Sequence, residues 1–179
     1  TEFWMLEPEM AFAHLADAFE VAQNMICYAI ERVLATRKLE LERLGRDLAK
    51  LESVKAPFPW VHYDDAIRIV REKGSKTEWG SDFGGTDETV LAESFDQPII
   101  VHRFPSTIKA FYMEPDPVDS KYSLSADILA PEGYGEIVGG GERISDADLL
   151  LKRLHEHGLP EEAFRWYIDL RKYGSTPHA

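Results

Sequence analysis

Between residues 98 and 139 the chain carries four short strand-like runs in succession, at 98–103, 110–113, 122–129 and 136–139. Each is rich in apolar, β-branched or aromatic residues, and short turn-forming segments join them. A parallel neighbour needs a crossover of about a dozen residues or more, so links this short favour antiparallel pairing. Helical patterns lie before and after this block, and no regular βαβ alternation is present. The expected fold is α+β, an antiparallel sheet flanked by helices. A doubly wound parallel sheet is disfavoured.

The flanks fill in the rest. Residues 3–12 (FWMLEPEMAF) read as a further strand. Period-two geometry puts Trp4, Leu6, Pro8, Met10 and Phe12 on one face and Phe3, Met5, Glu7, Glu9 and Ala11 on the other. Pro8 cannot donate to a ladder and belongs at an edge or a bulge. Leu15, Phe19, Ala22, Ile26, Ile30 and Val33 then recur at spacings of three and four, one apolar helical stripe. Leu41, Leu44, Leu48 and Leu51 continue it as a short coiled-coil-like seam, ended by residues 56–59 (APFP). A short strand at 60–63, a helix at 64–73 closed by Gly74, a loop over 75–88 and a helix over 86–95 follow. Near the end, Ser145, Asp146 and Asp148 form a near capping box, with Ile144 and Leu149 as a hydrophobic staple. That helix closes at Gly158, and Pro160 opens another that runs to Gly174.

Composition removes several functions. The 179 residues carry 20 Lys and Arg against 32 Asp and Glu, a formal net charge of −12. A chain this acidic is a poor non-specific binder of phosphate backbones. No apolar run reaches the length of about 20 residues that a membrane-spanning helix needs. Cys27 is the single cysteine, which excludes an intrachain disulfide and a cysteine-clustered zinc site, and its apolar helix face makes it a core filler. His155 and His157 are two apart near a helix end and face different directions, a poor zinc pair. The chain starts at Thr1 with no signal-like segment and is expected to be a piece of a longer protein; a processed or tagged small protein is the alternative.

Three groups of residues could carry chemistry. Glu7 and Glu9 share a strand face with Phe3, so two carboxylates and a ring could hold an ammonium or a metal and stack a base. A solvated sheet face has the same pattern. Asp127 and Glu136 flank the turn-forming run ILAPEGYG, and a hairpin centred near Pro131 and Glu132 would bring them opposite each other. Paired carboxylates suit Mg²⁺ shared with nucleotide phosphates; exposed hairpin charges are the alternative. Gly139, Gly140 and Gly141 permit close backbone approach, and Arg143 just beyond offers a planar fork for a carboxylate or amide oxygen. A bulged strand would use the same glycines.

Together these segments resemble the catalytic core of asparaginyl-tRNA synthetase, a class II aminoacyl-tRNA synthetase. Residues 1–12 (TEFWMLEPEMAF) look like the second strand of the class's motif 2 in its asparagine-specific form. Phe104-Pro105 through Ile108-Lys109-Ala110-Phe111-Tyr112-Met113 is similar to the family's IKAFYM strand. Asp127 to Pro131, Gly135 to Gly140 and Arg143 resemble the strand pair before motif 3, and residues 166–178 (WYIDLRKYGSTPH) the approach to it. The resemblance implies a class II antiparallel sheet and a two-step reaction, in which asparagine and ATP give asparaginyl-adenylate and the acyl group passes to tRNA(Asn). It implies that Phe3 stacks on adenine and that Glu7 meets the amino or amide end of asparagine. It also implies that Asp127 and Glu136 hold Mg²⁺ on the ATP phosphates, with Glu136 thereby a nucleotide contact. Arg143 would be the catalytic and carboxamide-reading residue, and His178 would line the amino-acid pocket. Such a protein would be a cytoplasmic homodimer without membrane contact. Residues 1–179 would form a partial catalytic domain lacking motif 1, the first half of motif 2 and motif 3, and by itself would not activate asparagine. All these side chains are expected to converge on one pocket. Two rivals share the fold: a tRNA-independent asparagine synthetase-like paralogue, and a non-catalytic synthetase-derived binding module.

Overall fold

The computed structural model describes residues 2–179. In chain order the elements are α1 (Leu15–Arg43), α2 (Leu48–Glu52), β1 (Trp60–His62), α3 (Tyr63–Glu72), α4 (Gly85–Ala92), β2 (Ile99–His102), β3 (Ser125–Ala130), β4 (Gly135–Gly141), α5 (Ala147–Glu156) and α6 (Glu161–Tyr173). The four strands form one sheet in the order β1-β2-β3-β4. β2, β3 and β4 pair antiparallel as expected, whereas β1 runs parallel to β2. The reason lies in the connection, because α3 and α4 together supply the crossover that a parallel pair needs.

Local chemistry sets the helix ends. Asp146 caps α5 by accepting from the Leu149 N–H at 2.7 Å. His62 caps α3 through its Nδ1, which accepts from the Asp64 N–H at 3.2 Å. Gly174 ends α6 at φ +131°, a conformation an L side chain resists.

Side-chain alternation divides the sheet into two buried faces. Ile99, Val101 and Leu129 pack with Tyr63, Ala66, Ile67 and Val70 of α3 and with Leu91 of α4. Ile100, Ala126 and Ile128 face the other way, onto Leu15 and Phe19 of α1 and onto Phe58. A third core joins Phe111 and Ile144 to Leu150 and Leu154 of α5 and Ile168 of α6. Each buried Val, Leu, Ile or Phe among them contributes about 1.5–3 kcal/mol relative to exposure.

Three expected elements differ. Residues 3–12 do not form a strand. Their one ladder contact is the Ala11–His178 bridge, backed by Phe12 N donating to Pro177 O at 2.7 Å and Met10 N to Ala179 O at 2.8 Å. Among the described residues no strand lies alongside residues 2–9, so Trp4 is 96% exposed and Phe3 73%. Thr1, which the resemblance joins to this segment, lies outside the described residues. Residues 110–113 make a turn closed by the Met113 N–H on Ala110 O at 3.0 Å, and only Met113 bridges onward, to Arg143. The leucine seam is broken by the turn between α1 and α2, where Gly45 takes φ +71° and Leu44 points into solvent.

Candidate functional site

β4 delivers two sets of polar side chains. At its C-terminal end the chain continues to Arg143, whose N–H donates to His178 O at 3.0 Å. That bond and the pairing of residues 10–12 with 177–179 bring Glu9, Arg143 and His178 to one cavity of about 460 Å³. Phe111, Tyr112, Phe164, Trp166 and Tyr167 form its remaining walls. Arg143 Nη2 donates to Glu9 Oε1 at 2.8 Å, and the guanidinium lies 4.7 Å from the Tyr112 ring centroid. Burial works against the Arg143 charge, but Glu9 and Tyr112 outweigh it and hold the group protonated. His178 Nδ1 lies 2.8 Å from Thr176 O; a carbonyl can only accept, so this nitrogen carries the proton. Its Nε2 stands 3.8 Å from Glu9 Oε2. The cavity therefore pairs a forked cation with a carboxylate under aromatic walls, a setting for a small zwitterion bearing a hydrogen-bonding side chain.

The second set lies on the β3–β4 hairpin. Asp127 stands opposite Gly139, and Glu136 opposite Leu129, so the two carboxylates are not cross-strand partners as expected. They meet because the register shifts between Ile128 and Leu129, leaving Ile137 as an extra residue on β4. The shift turns Glu136 onto the face of Asp127. Both then aim at the space above Gly139: a Cβ there would stand 2.5 Å from Glu136 Oε1 and 3.4 Å from Asp127 Oδ1. Asp127 is buried and its other oxygen, Oδ2, accepts from Lys109 Nζ at 2.5 Å. Burial raises the Asp127 carboxyl to about 6; Glu136 and Asp82 push the same way while Lys109 opposes them. Among the described residues no group of three or more His, Cys, Asp or Glu could hold a cation. Two carboxylates suit Mg²⁺, which is usually held by one or two of them with water and substrate phosphates completing its shell.

A larger groove of about 860 Å³ lies between α1, α2 and the hairpin turn. Three of its charges pair with one another: Arg46 donates to both Glu132 oxygens at 2.7 Å, and Lys50 adds a contact at 3.2 Å. Arg46 and Lys50 hold Glu132 down to about 2.

The expected single pocket is thus resolved into two places on β4. Gly139 and Arg143 lie about 13 Å apart at strand spacing. Arg143 and His178 come together, as do Asp127 and Glu136. Phe3 and Glu7 are exposed and line neither site. Glu9, named beside Glu7 from spacing, is the carboxylate that reaches Arg143. Lys109 and Tyr112 entered only through the resemblance, since neither spacing nor periodicity ties them to Asp127 or Arg143.

The family of tRNA synthetases class II (D, K and N) matches residues 1–179. The chain belongs to this family. Among the class II synthetases it is similar to the asparagine–tRNA ligase of Desulforamulus reducens, 52% identical over 178 residues, 99% of this chain and 42% of that protein. It is similar in structure to asparaginyl-tRNA synthetase of Pyrococcus horikoshii complexed with asparaginyl-adenylate, with a TM-score of 0.91 at 46% identity over 95% of this chain and 39% of that one. Aspartyl-tRNA synthetase from Entamoeba histolytica superposes at TM-score 0.81 with 26% identity, over 95% of this chain and 36% of that one. The chain spans about two fifths of the length of these class II relatives. Among its described residues no helix is long and apolar enough to cross a membrane.

Proposed function

We propose that this chain is the central part of the catalytic domain of an asparagine–tRNA ligase. In the first step a carboxylate oxygen of asparagine attacks the α-phosphorus of ATP, and the bond to pyrophosphate breaks to give asparaginyl-adenylate. In the second, a hydroxyl of the terminal ribose of tRNA(Asn) takes the acyl group and AMP leaves. Neither step needs a protein nucleophile, so the residues act by positioning and charge.

The observation that carries this reading is the Glu9–Arg143–His178 cavity. Arg143 donates to the carboxamide oxygen of asparagine. Glu9 fixes the guanidinium in place through one of its nitrogens and offsets its charge. An aspartate side chain, a full anion, is thereby offered less attraction than Arg143 alone would give. As the resemblance implies, Glu7, two residues before Glu9, meets the amino or amide end, and His178 closes the pocket. Phe3 stacks on adenine.

Asp127 and Glu136 would hold Mg²⁺. When bound, the cation supplies neutralisation of the ATP phosphates. The reading also makes the full-length protein a cytoplasmic homodimer that meets tRNA(Asn).

Asparagine-dependent exchange of pyrophosphate into ATP by the full-length protein tests this. Exchange should favour asparagine over aspartate, Arg143→Lys should lower kcat/KM for asparagine by at least about a hundredfold, and Glu7→Gln should narrow the asparagine preference. Exchange with aspartate equal to that with asparagine would refute the assignment.

A further inference from the structure

We propose that Lys109 is a tethered cation that links the Asp127–Glu136 carboxylates to the amino-acid cavity, surrendering Asp127 when a divalent cation binds there. This rests on the metal reading above and adds to it a coupling between two sites about 13 Å apart.

Asp127 faces two ways. Oδ1 is turned to the space above Gly139 that Glu136 also addresses, and Oδ2 is held by Lys109 at 2.5 Å. Lys109 Nζ also lies 3.9 Å from the centroid of the Phe104 ring, so the ammonium is seated between an aromatic face and a buried carboxylate. A carboxylate this deep beside a second one requires a cation, and in this arrangement the chain itself provides it. A divalent cation on the same carboxylate pair would face the ammonium as a like charge at close range, so the two compete for Asp127.

The loop that carries Lys109 gives the competition a reach. Upstream it is anchored where Arg153 Nη2 donates to Ser106 O at 2.5 Å and Ser106 N donates to Lys121 O at 2.8 Å. Downstream, Phe111 and Tyr112 line the cavity, Tyr112 O accepts from Ile144 N at 2.9 Å, and the Tyr112 ring supports Arg143. Lys109 sits between those anchors. Its withdrawal from Asp127 is felt at the ring that positions Arg143, so cation and amino-acid binding share one free energy and must affect each other by the same factor.

The test uses the full-length protein without ATP, with Mn²⁺ binding read by electron paramagnetic resonance and asparagine binding by calorimetry. In the wild type, saturating Mn²⁺ should change the asparagine Kd about fivefold or more, with asparagine changing the Mn²⁺ Kd by the same factor. Lys109→Met should bind Mn²⁺ about tenfold tighter and bring that factor close to one. A wild-type factor of one overturns the proposal, and that measurement needs no variant to fold. An unchanged Mn²⁺ affinity and factor in Lys109→Met overturns it as well. Asp127→Asn separates the two readings. Wild-type Mn²⁺ affinity in that variant sinks the metal assignment itself, whereas its loss alongside an inert Lys109→Met sinks only the role of Lys109.

Discussion

The three consecutive glycines of β4 should respond very differently to the same added methyl group. At Gly141 an alanine Cβ would stand 2.7 Å from Leu124 O, 3.0 Å from Ser125 Cα and 2.6 Å from Met113 Sδ. Two of those atoms are backbone of the neighbouring strand segment and cannot rotate away. Relief means separating β3 from β4 where Glu142 N donates to Leu124 O at 2.8 Å. Overpacking plus one weakened hydrogen bond puts Gly141→Ala at about 2–4 kcal/mol of lost stability. At Gly140 the Cβ would meet only the Phe19 ring, at 3.8 and 3.9 Å, ordinary contact. Reduced freedom of the unfolded chain then makes Gly140→Ala neutral to about 1 kcal/mol stabilising. At Gly139 the obstacle is the Glu136 carboxylate, the far end of a flexible side chain. Gly139→Ala should cost under about 1 kcal/mol in stability but push Glu136 aside, weakening Mn²⁺ binding about tenfold or more. Urea unfolding followed by far-ultraviolet circular dichroism, with Mn²⁺ titration on the folded variants, measures both quantities. Equal destabilisation by all three alanines, or a Gly141→Ala variant as stable as the wild type, would refute the reasoning.

Two further outcomes follow from buried polar groups. His102, packed edge-on against Trp60 and His62, is held near 4 by burial first and by Arg103 and His62 next. Its folded value lies below its unfolded one, so its contribution is present above about pH 6.5 and lost as pH falls toward 4. Discounted for partial exposure, the loss is on the order of 1–2 kcal/mol, and His102→Gln should flatten the urea midpoint between pH 7 and pH 4.5 by that amount; an unchanged slope would contradict it. Gln23 of α1 is buried and its Oε1 accepts from Phe58 N at 2.8 Å. Gln23→Leu keeps the volume but strands that N–H, and should lower unfolding free energy by about 1–3 kcal/mol; a variant of unchanged stability would show that the bond carries nothing.

Helix ends and strand runs were legible because their causes are local. Asp146, Pro160 and Gly174 act on backbone groups within a turn of themselves, and β2, β3 and β4 overlap the runs read from composition and alternation. The carboxylate pair and Arg143 stood out in the sequence only as candidates, since exposed hairpin charges and a bulged strand would use the same residues. Residues 3–12 had every local mark of a strand, yet a strand is completed by its neighbour, and alternation says nothing about whether one is present.

What the sequence determined alone was periodicity, caps and the types of side chain available for a site. Tertiary structure decided where those side chains point. One extra residue at Ile137 rotated Glu136 onto the face of Asp127, and a three-residue pairing of 10–12 with 177–179 set Glu9 against Arg143. Lys109 reaches Asp127 across 18 residues of sequence. Such meetings depend on the register between distant segments, and hydrogen-bond register is a property of two pieces of chain at once, which no pattern within either piece encodes.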